Sequence, residues 1–394
     1  MEDQGIGDIC NGNPPLCNGS NTPYMSSLAN IYGIAQRYTS LINTSEPDYY
    51  GILEASLPAN CSKTNTAACY PPAGSLTNLN LVDRFEAVGL TWRGYMENQN
   101  IVAGCDLGTH KPYTHEHNGF VAFQDITNNT SRCNKIVLAN PGGCGGVTDC
   151  ALVNDLNSSS APNFMWLTPN LCNDMHSDSS CTSNGCTSDY SPTCLRDGDN
   201  YLKSLVPNIL NSQTFTTTRA ALFIVFDEGT GYCPLNSSHE DCVYAVWAGP
   251  IVKASFSSSR LYNHYSLTKT IEVNWNLPSL TSNDANAIPM TEFFKAPSPD
   301  FSLTATPSTV TFKSGETGSF NATVSAQNSF AGTVNLSTST SPSTGLTVSC
   351  TPGSISGGSG SSTCNLSGSS PGNFTVTVTG TSGSLGAFIR TFQS

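Results

Sequence analysis

The sequence predicts an α/β domain built on a mostly parallel sheet flanked by helices, followed by a separate all-β domain. Helical and strand-like stretches alternate over most of the chain. The stretch FFKAPSPDFSLTATPS then marks a boundary, because prolines follow the last helical pattern and the composition changes to Ser, Thr and Gly. We therefore expect an α/β domain over residues 1–295, a linker over 296–300 and a β-sandwich over 301–394.

The elements of the first domain follow from hydrophobic spacing. In PYMSSLANIYG the apolar residues recur at helical spacing, and the pattern ends at Gly33. The same criteria predict helices over residues 23–33, 80–89, 201–212 and 263–275. Short apolar runs predict strands over residues 90–96, 163–169, 221–227 and 243–249. Strands that alternate with helices favour a parallel sheet, in which ligands bind beyond the carboxyl ends of the strands.

The last hundred or so residues have the period of two that is typical of strands. Apolar and polar residues alternate between Gly/Ser turns in STVTF, GSFNATVSA, GTVNLST, LTVSC and NFTVTVTG. An immunoglobulin-like sandwich of about 95 residues fits the usual size of such modules. Because this part has no His and almost no acidic residues, we expect a spacer or adhesion module that contacts cell surfaces or other copies of itself.

Charge and hydropathy narrow the range of partners. Only 11% of the residues are charged, and 16 basic against 28 acidic residues give a net charge of −12. No cluster of Lys and Arg is present to follow a phosphate backbone, so nucleic acid is not an expected partner. No apolar run approaches the roughly 18 to 20 residues that span a bilayer. The opening Met-Glu-Asp-Gln-Gly lacks the features of an export signal, and we expect further sequence upstream.

The 16 cysteines indicate disulfides. Local bonds are expected for Cys10 with Cys17, Cys61 with Cys69, Cys105 with Cys133, Cys186 with Cys194, Cys233 with Cys242, and Cys350 with Cys364. The alternative is a zinc site formed by Cys172, Cys181, Cys186 and Cys194, although no CxxC pair occurs. In GGCGG (142–146), Cys144 favours a disulfide-tied loop over a phosphate cradle, because the P-loop lysine is missing.

Disulfides need an oxidising compartment, so we expect an extracellular or cell-surface protein. Asn-x-Ser/Thr sequons agree with this location. The candidate N-glycan sites are Asn18, Asn43, Asn60, Asn128, Asn129, Asn157, Asn236, Asn321, Asn335, Asn365 and Asn373.

Several polar residues follow predicted strands or flank predicted helices. Asp227 and Glu228 end the apolar run LFIVF, where a parallel sheet would place its ligands. Further candidates are Asp174 and His176 after the strand at 163–169, His264 before the last helix, and His115 and His117 in THEHNGF. Carboxylates together with imidazoles suit a divalent cation that binds a phosphate oxygen and activates a nucleophile. The alternative is a solvated turn with histidines that merely cap loops.

Seven segments occur in an order that resembles one family. They are LVDRFEAVGLTWRGYMEN, HEHNGFVAFQDITNNTSRC, FMWLTPNLCNDMH, YLKSLVPNILNS, LFIVFDEG, AVWAGPIVK and YNHYSLTKTIE. In this order they resemble the secreted acid phosphatase and phospholipase C-type phosphoesterase family, over roughly residues 1–280. The resemblance implies an alkaline-phosphatase-like fold, a divalent metal ion of unspecified identity and a serine nucleophile.

The resemblance also implies a set of metal ligands. The opening MEDQG resembles a Met-Glu-Asn motif of the family, with Asp3 in place of Asn, so Glu2 and Asp3 are implied ligands together with Asp227 and Glu228. A carboxylate in place of the amide is still an oxygen ligand for a hard cation. The family has a strand before this motif, which implies a strand that precedes residue 1.

The nucleophile implied by the resemblance is Ser45. The segment NTSEPDYY keeps the Ser, Pro and Tyr of the family's His-Pro-Ser-Leu-Pro-Asn-Tyr motif, whereas Asn43 and Asp48 replace its His and Asn. By the same resemblance, His117, His176 and His264 correspond to histidines that surround phosphate or a second metal.

Two functions remain open from the sequence. The first is a secreted, metal-dependent hydrolase of phosphoric esters, of acid phosphatase or phospholipase C type, in which Ser45 forms a phosphoserine intermediate. The alternative is a phosphoesterase scaffold that has lost activity and serves as a surface structural, adhesion or filament-forming protein. The altered nucleophile motif and the added sandwich favour the alternative.

Overall fold

The computed structural model describes residues 1–11, 16–182, 185–188, 191–229, 233 and 241–393. The chain divides into two compact units, Met1–Lys295 and Ala296–Ser394. None of the helices in these described ranges is long and apolar enough to cross a membrane.

The first unit combines short strands with helices. Its strands are β1 (Gly33–Thr39), β2 (Trp92–Met96), β3 (Ile136–Leu138), β4 (Phe164–Thr168), β5 (Leu222–Val225), β6 (Ala245–Ala248) and β7 (Phe256–Asn263). Its helices are α1 (Ile6–Cys10), α2 (Pro23–Ile31), α3 (Ser45–Glu54), α4 (Leu81–Ala87), α5 (Gln124–Thr127), α6 (Thr130–Cys133), α7 (Cys150–Leu156), α8 (Pro192–Leu210), α9 (Gln213–Thr217), α10 (His264–Trp275) and α11 (Ser282–Asn286).

The strands of this unit form two sheets, in the orders β5–β6–β1–β7 and β3–β2–β4. Strand β2 is parallel to both of its neighbours, and β1 is parallel to β7. Strand β6, however, is antiparallel to β5 and to β1, so the expected mostly parallel arrangement needs correction for this sheet. The described part of the connection 226–244 contains no helix, and a return without a crossover helix leaves two strands antiparallel.

Strands β5, β1 and β7 consequently run in the same direction and end at the same edge of their sheet. The residues that follow them are Asp227 after β5, Ser45 after β1 and His264 after β7. The edge at which their carboxyl ends meet therefore carries three of the predicted site residues.

Most of the predicted helices and strands are present, with shifted ends. Helix α8 begins earlier than expected, at Pro192, because Ser191 caps it by accepting the Cys194 N–H at 3.2 Å. Strands β1 and β7 were not predicted, since GIAQRYT and FSSSRLYN contain polar residues that interrupt the apolar alternation. Both strands are nevertheless paired with each other along most of their length.

Packing around β2 sets the position of the residues that follow it. The ring of Trp92 stacks on Phe120 with centroids 5.1 Å apart, and both rings are buried. A Cβ at Gly94 would lie 3.0 Å from the Phe120 ring, so a larger residue there would require the ring to shift by a few tenths of an ångström. The aromatic contacts fix the end of β2, immediately before Glu97.

The second unit consists of two β-sheets. Its strands are β8 (Asp300–Thr306), β9 (Thr309–Val310), β10 (Thr317–Gln327), β11 (Val334–Ser341), β12 (Leu346–Thr351), β13 (Ser354–Ile355), β14 (Gly360–Gly368), β15 (Phe374–Ser382) and β16 (Leu385–Gln393). The sheet orders are β12–β14–β10–β8 and β13–β11–β15–β16–β9, with antiparallel pairing except between β16 and β9. Alternate residues such as Phe320, Val324 and Val376 form its core. Its immunoglobulin-like assignment stays a prediction.

All of the cysteines form local disulfides. The bonds are Cys10–Cys17, Cys61–Cys69, Cys105–Cys133, Cys144–Cys150, Cys172–Cys181, Cys186–Cys194, Cys233–Cys242 and Cys350–Cys364. The predicted pairs are confirmed, including a disulfide for Cys144. The alternative zinc site at Cys172, Cys181, Cys186 and Cys194 is wrong, because all four sulfur atoms are bonded to one another in pairs.

Candidate metal centre

Two segments that are distant in sequence meet beyond the end of β5. The Asp227 N–H donates to the Met1 carbonyl oxygen at 3.2 Å, and the Asp3 N–H donates to Asp227 Oδ1 at 3.1 Å. Gly229 allows this approach, because a Cβ there would lie 2.9 Å from the Gly5 Cα. The cluster that results contains all of the predicted metal ligands, Glu2, Asp3, Asp227 and Glu228.

The carboxylates of this cluster are close together and buried. Ligand oxygen atoms of Glu2, Asp3 and Asp227 lie within 4.8 Å of one another. Burial and the neighbouring Asp227 raise the pKa of Asp3 to about 6 and the pKa of Glu228 to about 10. Burial likewise raises the pKa of Glu2 well above its usual value.

Compensating positive charge is scarce around this cluster. Within the described ranges, no Lys or Arg forms an ion pair with any of the four carboxylates. Asp227 Oδ2 and Glu228 Oε2 are buried without a hydrogen-bond partner. Carboxylate oxygens that lack both a cationic neighbour and a hydrogen-bond donor suit a hard divalent cation. Such a cation would keep the carboxylates ionised.

Ser45 lies beside the carboxylate cluster as the first residue of α3. Its Oγ donates to Glu228 Oε1 at 3.5 Å. The free N–H groups at the start of a helix favour negative charge, which helps a serine oxygen to lose its proton. Tyr49, one turn further on, donates its hydroxyl to Glu2 Oε1 and so ties α3 to the cluster.

His117 connects the cluster to Asp174, a candidate from the sequence that was not among the implied metal ligands. Its Nε2 lies 3.4 Å from Glu2 Oε2, and its Nδ1 lies 3.1 Å from Asp174 Oδ2. Ligand atoms of Glu2, His117 and Asp174 form a second group within 4.8 Å of one another. All three side chains are buried. The position of Asp174 after a predicted strand was the only signal in the sequence for this contact.

His176 lies on the partly exposed side of the cluster. Its Nε2 is 3.8 Å from Asp3 Oδ2, and 36% of its side chain is accessible to solvent. The Asp174 side chain accepts the His176 N–H at 2.8 Å. Met175 and Ser177 on either side have φ angles of 84° and 97°, a left-handed conformation that strains residues other than glycine.

His264 lies behind Asp227 and is fully buried. Its Nε2 donates to the Asp227 carbonyl oxygen at 2.7 Å, and its Nδ1 lies 3.1 Å from the Tyr38 hydroxyl. Burial lowers the pKa of His264 to about 4, so the ring is neutral at physiological pH. Both ring nitrogens are therefore occupied within the protein. His115, also noted in the sequence, instead contacts the Thr109 hydroxyl at 3.1 Å.

The fold and the site together define an α/β protein with a buried carboxylate cluster, whose ligand atoms could hold a cation, beside a helix-terminal serine. Residues 17–278 match the model of the Phosphoesterase family, and the chain belongs to this family. The match begins after Glu2 and Asp3 but includes Ser45, Asp227 and Glu228.

Two curated relatives carry acid phosphatase names. A probable acid phosphatase of Kluyveromyces lactis is 23% identical over 64% of this chain and 53% of its own length. A phosphate-repressible acid phosphatase of Penicillium chrysogenum is 26% identical over 52% of this chain and 44% of its own length. The chain thus spans about half the length of these relatives.

Among solved structures, a 2-O GAG sulfatase overlaps with 83% of this chain and 81% of its own. Its TM-score is 0.44 and its sequence identity 11%, values too low to bear on function.

Proposed function

We propose that this protein is a metal-dependent hydrolase of phosphoric esters with Ser45 as its nucleophile. The observation that carries the proposal is the position of Ser45 at the start of α3, with its Oγ 3.5 Å from Glu228 in the carboxylate cluster. Membership of the Phosphoesterase family and the names of the two acid phosphatase relatives support it.

Glu2, Asp3, Asp227 and Glu228 would hold the cation. A bound divalent ion supplies positive charge that stabilises an alkoxide and the oxygens of a phosphoryl group. The unpartnered oxygens of Asp227 and Glu228 agree with this role.

The chain's own residues supply the remaining chemistry. Glu228 Oε1 orients the Ser45 hydroxyl and accepts its proton as Oγ attacks phosphorus. A bond between Ser45 Oγ and phosphorus forms while the ester P–O bond breaks, and the partly exposed His176 gives a proton to the leaving alcohol. Water then attacks phosphorus while the Ser45 Oγ–P bond breaks. His176 takes a proton from this water and Glu228 returns its proton to Oγ, which releases phosphate and restores the Ser45 hydroxyl.

The other two histidines receive different roles. Nε2 of His117 faces Glu2, and we assign it to a phosphoryl oxygen or to a second cation. His264 was expected to act in the same way, but its ring nitrogens are occupied by Asp227 and Tyr38. We therefore assign His264 to positioning the backbone of Asp227.

An aryl phosphate assay with and without a chelator tests the proposal. We expect turnover that requires metal and a fall in kcat of at least about 1,000-fold for Ser45→Ala, with metal binding retained. Ser56→Ala is the matched control, because Ser56 follows the other end of α3 and its Oγ donates to Glu54 Oε1 at 2.9 Å rather than to the carboxylate cluster. Absence of metal-dependent turnover between about pH 4 and pH 9 would contradict the proposal.

We further propose an extracellular or cell-surface location with N-linked glycans. Disulfides close every cysteine pair, and each sequon asparagine that the structure describes is exposed. Asn236 lies outside the described residues. If Ser45 is the nucleophile, a glycan on the exposed Asn43 would block access to it, so glycopeptide mass spectrometry of residues 38–60 should find Asn43 unmodified.

The second candidate is a scaffold that has lost activity and serves in adhesion or assembly. The β-rich unit after residue 295, which has very few charged residues, favours this candidate. Electron microscopy combined with elemental analysis separates the two. Ordered fibres without bound metal would support the scaffold, whereas metal-loaded monomers would support the enzyme.

A further inference from the structure

Glu97, a buried carboxylate that is not among the proposed metal ligands, forms hydrogen bonds with the loop that follows β4. Glu97 directly follows β2, and its N–H donates to the Thr168 carbonyl oxygen at the end of β4 at 3.0 Å. Its Oε1 and Oε2 both accept from Asn173 Nδ2, at 2.8 and 2.9 Å. Oε2 also accepts the Asn170 N–H at 2.9 Å. Three hydrogen bonds thus join the Glu97 carboxyl group to residues 170–173.

The loop that Glu97 contacts forms a tight turn over residues 170–174, which ends at Asp174. The Asn170 carbonyl oxygen accepts the N–H groups of Asn173 and Asp174, both at 2.9 Å. The Asn170 side chain accepts the N–H of Cys172 at 2.8 Å. With Glu97 holding one face of the turn, Asp174 has little freedom to move.

Asp174 is connected to the candidate metal centre by three contacts. Its Oδ2 lies 3.1 Å from His117 Nδ1, and its Oδ1 accepts the His176 N–H at 2.8 Å. Its carbonyl oxygen accepts the Glu2 N–H at 2.8 Å. One residue therefore contacts the ring of His117 and the backbones of His176 and Glu2, a proposed metal ligand.

The loop needs such a restraint because its next residues are strained. Met175 and Ser177 adopt positive φ angles, which are strained for residues other than glycine and persist only where the surroundings enforce them. Asp149, which is buried and accepts a hydrogen bond from the Tyr201 hydroxyl, adds a second negative charge near Glu97. Burial and Asp149 together raise the pKa of Glu97 to about 8. The hydrogen bonds from Asn170 and Asn173 oppose this rise in the pKa, because they favour the ionised form of Glu97.

We propose that Glu97 is a positioning residue that holds Asp174, and through it the ring of His117 and the backbone of His176, in the geometry the metal centre requires. The inference deepens the proposed function and rests on it for its kinetic consequence. Its structural consequence, a fixed His117 ring, does not depend on activity.

The test compares Glu97→Ala, Glu97→Gln and Asn173→Ala with Glu272→Gln. Glu272 is the matched control, because it is equally buried but hydrogen-bonds to Ser279 and Lys269. We expect Glu97→Ala to lower kcat for an aryl phosphate about 10- to 100-fold, with KM within about 3-fold. Glu97→Gln keeps an acceptor for Asn170 and should lose less. Because Glu97 and Asn173 act together, the double variant should be no worse than Glu97→Ala.

Nitrogen NMR of the histidine rings supplies the readout that is independent of turnover. Asp174 fixes one tautomer of His117, and we expect that tautomer to be lost in Glu97→Ala but kept in Glu272→Gln. A wild-type protein without turnover would refute the proposed function while leaving this measurement valid. An unchanged His117 signal in Glu97→Ala would overturn the inference. If Glu97→Ala does not fold, the same signal in Glu97→Gln and Asn173→Ala decides the question in the same way.

Discussion

Asp227 forms hydrogen bonds through its side chain, its backbone N–H and its backbone carbonyl oxygen. Its side chain accepts the Asp3 N–H, its own N–H reaches the Met1 carbonyl oxygen, and its carbonyl oxygen accepts from His264. The backbone of Asp227 is thus held from two sides, whereas its Oδ2 has no partner. Removing the charge of this side chain should therefore alter the cluster's electrostatics more than its geometry.

The double variant Asp227→Asn/Glu228→Gln should release metal without destabilising the apo protein. The amides keep the shape of the side chains but remove charges that repel Glu2 and Asp3. We expect the affinity for Mn²⁺ to fall about 100-fold or more, since even outer partners of metal ligands contribute about 10- to 100-fold. Calorimetric titration measures the affinity, and thermal unfolding in EDTA should show an unchanged or raised midpoint.

Glu272→Gln serves as the control for this variant, because it neutralises a buried carboxylate on α10, outside the carboxylate cluster. It should bind Mn²⁺ like the wild type. Stoichiometric, wild-type metal binding by the double amide variant would place the metal centre elsewhere.

The apo protein should lose stability as pH rises from about 6.5 to 9. Burial and Asp227 raise the pKa of Glu228 from 4.5 to about 10, so in this range the folded protein holds a proton that the unfolded chain has lost. The free energy of unfolding then falls with rising pH. His264 does not contribute to this fall. Its pKa is lowered from 6.5 to about 4, so above about pH 6.5 its ring is neutral in both the folded and the unfolded protein. Thermal unfolding in EDTA at several pH values measures the slope.

Two comparisons make the pH prediction specific. Saturating Mn²⁺ should raise the midpoint most at high pH, because the cation binds the ionised carboxylates of the folded state only. The Asp227→Asn/Glu228→Gln variant should show a flatter slope in EDTA. Identical slopes in the wild type and the variant would assign the pH dependence to other groups.

Among the elements, the loop after β4 is restrained both by a disulfide and by hydrogen bonds from Glu97. The disulfide Cys172–Cys181 joins two cysteines nine positions apart in the sequence and closes a segment that contains Asp174 and His176. Glu97 holds the same segment from the end of β2. A loop with strained residues needs these restraints, because it has no regular secondary structure to fix it.

Replacing Cys172 and Cys181 by serine should therefore reduce activity as well as stability. The unfolded chain regains freedom that the short disulfide removes, which is worth about 2–3 kcal/mol. Misplacement of His176 should lower kcat by about 10-fold or more, since small displacements of positioned groups are costly. Denaturant unfolding and aryl phosphate kinetics measure the two effects.

The control for the disulfide prediction is Cys350→Ser/Cys364→Ser in the second unit. This variant should lower the stability of its own unit and leave kcat unchanged. Equal kinetic effects of the two double variants would show that the loop after β4 has no special role.

At the scale of the whole molecule, the chain consists of two units with separate cores. All of the proposed site residues lie in Met1–Lys295, and the core of Ala296–Ser394 is made of its own strands. A unit with its own core is expected to fold alone. The second unit contains no His and few carboxylates to contribute to a metal centre.

We expect the separate fragments 1–295 and 296–394 to fold, and fragment 1–295 to keep the metal-dependent turnover of the full chain within about 2-fold. Circular dichroism, Mn²⁺ titration and aryl phosphate kinetics on each fragment measure this. A folded fragment 1–295 that binds Mn²⁺ but has lost turnover would assign a catalytic role to the second unit.

Much of the local structure was predictable from the sequence. Helices α2, α4 and α10, strands β2, β4 and β5, and the disulfides between nearby cysteines all follow from spacing within a few residues. Strands β1 and β7 were missed, since their burial and pairing come from neighbours rather than from an apolar alternation of their own. The direction of β6 was missed for the same reason.

The sequence by itself determined which side chains are available for metal chemistry, because carboxylates and histidines at strand ends can be identified by type and position. Only the tertiary structure decided how they are used. It joined Asp174 to His117 and Glu97 to Asn173, and it buried His264 behind Asp227. These contacts join residues that are far apart in the chain, and the tertiary fold, rather than local spacing, brings them within hydrogen-bonding distance.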